Sequence, residues 1–272
     1  MKIVSPLILA LSLFGPWAQA DDALKPSDFI RVDQDEKTAR LQPAIASYQK
    51  GKVTVSLIGA IHLGDKAYYD DLNERFKKYD RVLFEMIGGE DPAVIKQEAG
   101  GEEHPLNRIY NLVGTILKLS HQKNVINYTA KNFVHADLTH AEFAKLQKER
   151  GESILSFAME AAGNTENAKQ SSTEALMKAL LSGDPDKAKL LLVDALAQGD
   201  EAMAGLTGQS VIITDRNAKC LKVLASQIAK GDKNLGIFYG AAHFPDMEKS
   251  LLEQGFQKTG QEWVTAWEIP KS

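Results

Sequence analysis

The spacing of apolar positions changes several times along the chain, and each change predicts an element. Phe29–Val32 alternates with polar residues and predicts a short first strand. Ala39–Tyr48 and Val53–Ile61 predict a hairpin about Gln49-Lys50-Gly51-Lys52. Pro43 has no N–H to give a ladder, so the first arm is expected at a sheet edge. The second arm is β-branched and then almost wholly apolar, the pattern of a strand covered on both faces. Asp65–Tyr79 sets Tyr68, Leu72 and Phe76 four apart on one helical face, and Arg81–Ile87 is a second apolar strand. Strand, helix and strand in succession predict a βαβ unit, hence a parallel pair. Gly88 and Gly89 end it.

The middle of the chain reads differently. Leu106–Leu119 has helical spacing, Val125–Tyr128 reads as a short strand and Phe133–Leu138 as a tight loop. Thr139 is placed to cap a helix over His140–Arg150, with Glu142 three residues on to close a capping box. Ile154–Ala204 is helical in pattern throughout, with Asp184-Pro185 as a helix start. Val211–Lys230 predicts a further helix, Leu235–Gly240 a third apolar strand and Pro245–Gln254 the helix after it. Glu262–Ile269 alternates, with Trp263, Thr265, Trp267 and Ile269 on one face, and predicts a closing antiparallel strand. The expected fold is α/β: a central mixed sheet with βαβ elements, interrupted by an all-helical insertion over about residues 139–209.

Charge and the N-terminus place this fold. Lys2, the apolar run Val4–Phe14, the break at Gly15-Pro16 and the small residues Ala18 and Ala20 have the layout of a secretory signal peptide. An uncleaved anchor is the alternative, but the run falls short of the ~20 residues that span a bilayer. Cleavage after Ala20 is expected to leave one domain, residues 21–272, that is periplasmic or secreted. Loss of Lys2 takes the formal charge from −4 to −5, and no basic cluster follows, which argues against a nucleic-acid partner. No later stretch has the length of a membrane span. With Cys220 as the one cysteine there is no internal disulfide, and its apolar setting predicts a buried small hydrophobe rather than a nucleophile.

Gly59-Ala60-Ile61-His62 and Gly240-Ala241-Ala242-His243 each end a buried strand. Ligands in open α/β sheets bind at that C-terminal edge. Gly59 and Gly240 remove side chains where a ligand or another backbone comes close. The structural alternative is a pair of capping or core histidines. Glu85, inside an apolar strand, must be paired or bound to a cation, so it is either a salt-bridged structural residue or the carboxylate of a two-histidine, one-carboxylate metal set. Arg216, in Thr214-Asp215-Arg216-Asn217, can bind a substrate anion, hold Glu85, or lie on a helix surface. His135 and Asp137 are candidates for a further ligand or base, with Asp137 as a cap instead. His104, His121 and His140 read as exposed loop or helix residues with no role. A Gly-rich phosphate loop, a His-Glu-x-x-His and a Gly-x-Ser-x-Gly elbow are absent from the sequence.

These residues resemble the TraB/GumN family, within the wider Tiki-like superfamily. The carriers are Leu57-Ile58-Gly59-Ala60-Ile61-His62-Leu63-Gly64, Val82-Leu83-Phe84-Glu85, Asp215-Arg216-Asn217 and Tyr239-Gly240-Ala241-Ala242-His243-Phe244, with Gly255-Phe256 beyond. They cover about half of the mature chain; the helical middle matches loosely. Phe244-Pro245-Asp246 stands where a Leu-Pro-Gly-like turn is commoner. The resemblance implies an α/β core interrupted by helices and a site of His62, Glu85, Arg216 and His243; Gly59, Gly240, Asn217, His135, Asp137 and Tyr239 are candidates to bind substrate or support these four. Relatives include metal-dependent proteases, pheromone shutdown proteins, esterase-like members and a haem-binding branch. The expected activity is metal-dependent hydrolysis of a peptide or amide bond, with His62, Glu85 and His243 holding a zinc, manganese or cobalt ion and a peptide or small molecule as substrate. Two rivals stay open: a metal-free hydrolase with His62 as general base, and a protein that binds haem or peptide without turnover.

Overall fold

The computed structural model describes residues 29–89, 114–151, 178–179, 183–193 and 211–271. The proposed signal segment and His104 lie outside the described residues. So do residues 106–113 of one predicted helix and residues 152–177, 180–182 and 194–209 of the proposed insertion.

The hairpin forms as its pattern predicts. β1 (Ile30–Gln34) pairs with the long β2 (Thr38–Lys50), and β2 turns into β3 (Val53–Ala60) at Gly51-Lys52. Gly51 takes φ +59°, which a side chain would resist. β4 (Leu63–Gly64) and α1 (Lys66–Phe76) follow, with Tyr68, Tyr69, Leu72 and Phe76 of α1 buried. β5 (Arg81–Phe84), β6 (Ser120–His121), the short α2 (Gln122–Val125), β7 (Phe133–His135) and α3 (His140–Arg150) come next. A π turn over Val211–Asp215 leads into α4 (Arg216–Ala229), then β8 (Asn234–Gly240), a 3-10 turn over Ala241–His243, α5 (Phe244–Glu253), β9 (Gln257–Trp263) and β10 (Trp267–Pro270).

The mixed sheet runs β1-β2-β3-β8-β5-β7, and β9 and β10 also pair with β2. Pairings from β3 through β8 and β5 to β7 are parallel; those made by β2 are antiparallel. Both faces are covered, which explains the unbroken apolar runs. Ile58, Phe84 and Phe238 point into one cluster with Leu72 and Phe76 of α1. Leu57, Leu83 and Ile237 point into the other, with Cys220 and Leu224 of α4 and Phe244, Met247 and Leu251 of α5. Cys220 is fully buried and burial raises its thiol pKa, so it is a packed hydrophobe as expected.

Several expectations are corrected. β3 and β5 are parallel but not neighbours, because β8 lies between them and pairs with both. Pro43 is not at an edge: β2 has partners on both sides. It sits where β2 passes from β1 and β10 to β3 and β9, and the neighbouring Ala44 N–H donates to Phe29. Val125–Tyr128 is the end of α2 and a turn, not a strand, although Ile126 and Tyr128 are buried. Phe133–His135 is a strand, not a loop, paired with β5. The closing strand is two strands, interrupted at residues 264–266. His121 is buried in β6 opposite Leu63 rather than exposed. The Thr139–Glu142 capping box is formed. Of the proposed helical insertion, the described parts are α3, residues 178–179 and a helix over 185–193. No helix among the described residues is long and apolar enough to cross a membrane.

Candidate active site

The strand order brings the predicted residues to one edge. β3, β8, β5 and β7 lie side by side and parallel, so their C-terminal ends line up. His62 follows β3, His243 follows β8, Glu85 follows β5 and Asp137 follows β7. Gly59 pairs with Tyr239 and Ala60 with Gly240, which sets the two Gly-x-x-His elements side by side, offset by one residue.

Glu85 sits at the middle of this row. Its Oε2 accepts the Gly240 N–H at 2.7 Å and its Oε1 accepts Arg216 Nη2 at 2.7 Å. Arg216, the first residue of α4, also clasps Asp137 through Nε at 2.9 Å and Nη2 at 2.6 Å. Asp137 has no exposed surface and takes a further bond from the Leu138 N–H. Arg216 is therefore neither a surface residue nor a free substrate clamp; it is a buried cation shared by two carboxylates. Burial is the largest single influence on Glu85 and opposes its ionisation, but the Arg216 charge, the neighbouring imidazoles and the Gly240 N–H together outweigh it. The carboxyl is held well below the usual range.

The His243 tautomer follows from its partners. Asn217 Nδ2 donates to the His243 carbonyl at 3.1 Å and to Asp246 Oδ2 at 2.8 Å, which fixes Oδ1 as the acceptor end. Oδ1 lies 2.6 Å from His243 Nδ1, so that nitrogen carries the hydrogen. Burial lowers the imidazole pKa to about 4, so the ring is neutral near pH 7. Its Nε2 then presents a lone pair, and this faces Glu85 Oε1 at 3.7 Å. Two acceptors facing each other in a largely desolvated setting leave a place for a cation or a donated proton.

His62 differs. Its surface is exposed, yet surrounding protein removes enough water to lower its pKa, only partly offset by Glu85. The remaining predicted residues act at one remove. Gly59 carries no side chain because a Cβ would lie 2.8 Å from Pro43 Cβ, so its role is close packing on β2. Tyr239 donates to the Ala136 carbonyl at 2.6 Å, bracing the Asp137 loop, and sets its ring edge-on to His243 at 5.2 Å. His135 Nε2 bonds the Met86 carbonyl at 2.7 Å and so steadies the turn after Glu85. Asp246 does not stand out in the sequence; its signal is its place three residues past His243, in the first turn of α5.

Comparisons with protein-family models, with curated proteins and with solved structures found no match. The chemistry of the site rests on its own geometry. For a divalent cation the donor set fits: neutral imidazoles, an ionised carboxylate and an open Nε2–Oε1 gap are the states a metal requires. Asn217 supplies the outer support that ligating histidines commonly have. As the side chains stand, no three His, Cys, Asp or Glu among the described residues form a ready coordination group.

The His243 shift gives a pH prediction. The unfolded chain takes up this proton near pH 6.5, the folded protein only near 4. Between these values the unfolded state binds more protons, so stability falls as pH drops through the window. The full effect is on the order of 3 kcal/mol. Glu85, with its depressed pKa, adds a loss only below about pH 4.5. Urea midpoints of chelator-treated protein are expected to fall steadily between about pH 6.5 and pH 4.5, and His243→Gln should flatten that slope. An equal slope in the variant would assign the effect elsewhere.

Proposed function

We propose that this protein is an exported, metal-dependent hydrolase acting on peptide or amide bonds. The observation that carries the reading is the pair of buried His243 Nε2 and part-buried Glu85 Oε1, two acceptors 3.7 Å apart at the C-terminal edge of parallel strands. His62, Glu85 and His243 would hold the cation. A divalent cation there would polarise the scissile carbonyl and acidify a water. Gly240 and Arg216 hold Glu85 ionised and pointed across to β8. Asn217 keeps Nε2 of His243 unprotonated and facing inward. His62, at the exposed rim, is the histidine that an incoming substrate meets. The peptide or amide preference and the export follow from the TraB/GumN resemblance and the signal-like N-terminus.

A second reading has its own support. Both Glu85 oxygens already hold donors, and His62 is exposed with a lowered pKa, as suits a general base acting without metal. One experiment separates them. The mature protein is dialysed against a chelator and assayed on a peptide or amide library, before and after adding zinc, manganese or cobalt. The metal reading expects turnover to be lost and then restored. Turnover that survives chelation and disappears in His62→Ala establishes the metal-free base. Absence of turnover with any metal, together with a Soret band on haem addition, moves the protein to the binding class.

A further inference from the structure

His243 is positioned by a side-chain amide, Asn217, whose other bonds fix its acceptor end. His62 has an amide of its own. Gln122 opens α2 and is 6 % exposed. Its backbone N–H donates to the His62 carbonyl at 2.8 Å, tying the two residues together at the main chain. Its side-chain Nε2 donates to the Tyr128 hydroxyl at 2.6 Å. Tyr128 is itself buried, its ring packed at 5.3 Å from Phe84, so the anchor is rigid. The amide is thereby turned with Oε1 away from Tyr128 and against the His62 imidazole. Oε1 itself is buried and has no hydrogen-bond partner. A buried orphan carbonyl is costly unless a donor reaches it in the working state.

We propose that Gln122 is the positioning residue of His62: its side-chain carbonyl accepts the ring N–H and so presents the other, unprotonated nitrogen to the site. Both histidines would then be held alike, each by a carboxamide oxygen whose nitrogen is anchored elsewhere. The inference rests on the hydrolytic reading above, because an unprotonated nitrogen serves either a metal ligand or a general base. Its test does not rest on activity.

Long-range proton–nitrogen spectra of the imidazoles are recorded on the full mature chain near pH 8, with His62 assigned by comparison with His62→Ala. A single His62 tautomer is expected in the unaltered protein. Gln122→Met keeps the bulk and removes the acceptor; the single tautomer should be lost while thermal unfolding stays cooperative. Gln122→Glu is acceptor-only and should keep the tautomer. Where turnover is measurable, Gln122→Met should lower kcat about 10–100-fold, the range for lost outer support, with little change in KM. A His62 tautomer unchanged in Gln122→Met overturns the proposal. If Gln122→Met does not fold, Gln122→Glu decides: a mixed or inverted tautomer there shows that the amide donates instead, and overturns it too.

Discussion

Replacing Arg216 with methionine is expected to destabilise the protein by ~3–5 kcal/mol, the cost of breaking a buried ion pair by removing one partner. The reason is specific to this arrangement. Asp137 has no exposed surface and receives both Nε and Nη2 of Arg216, while Glu85 receives Nη2 as well. Methionine leaves two carboxylates close together with their shared cation gone. Burial then opposes ionisation of Glu85 with its main counter-charge gone, and Asp137 is left without the cation it bonds. Arg216→Lys keeps one charge but not the planar fork that reaches two carboxylates at once, so it should recover only part of the loss. Equilibrium urea unfolding checks this: the midpoint should drop with the slope unchanged. A loss under about 1 kcal/mol for Arg216→Met would show that the two carboxylates are satisfied without it, and the description of the site as one charged unit would fail.

That unit marks where the sequence stopped being informative. The apolar runs of β3, β5 and β8 were legible because a strand covered on both faces has no polar positions to hide. For the same reason their neighbours were not. Nothing in Leu235–Gly240 records that it enters between β3 and β5, and the pairing of Ala60 with Gly240 joins residues from opposite ends of the chain. β7 is three residues long, too short for any period to show, so its sequence reads as a loop. Val125–Tyr128 misled in the opposite direction: its apolar residues anchor a turn, with Ile126 and Tyr128 buried beside α2. At the site, His62, Glu85 and His243 stood out as polar residues at the ends of apolar strands. Their supports did not. Asn217 enters only through the motif Asp215-Arg216-Asn217, with no specific role attached, and Gln122 and Asp246 are ordinary polar residues on helices until the fold turns them towards an imidazole or its anchor. The alternatives for Arg216 could not be separated in sequence, because its partners Glu85 and Asp137 precede it by 131 and 79 residues.

The largest functional effect is expected from the two histidines. If His62, Glu85 and His243 act through one bound cation, His62→Ala and His243→Ala should each remove most of the activity, and the double variant should be little worse than either. Independent contributions would multiply instead. Stability should separate the pair where activity does not. His62 is exposed, so its loss should change the unfolding free energy by no more than about 0.5 kcal/mol. His243 is 4 % exposed and holds Asn217 Oδ1, so its loss opens a cavity and strands an acceptor, at roughly 1–3 kcal/mol. The measurement is kcat/KM of the three variants with saturating metal, alongside the metal content of each and its urea midpoint. Both single variants should lose metal together with turnover while remaining folded. Turnover losses that multiply, with metal content unchanged, would place the histidines in separate roles and favour His62 as a base that works alone.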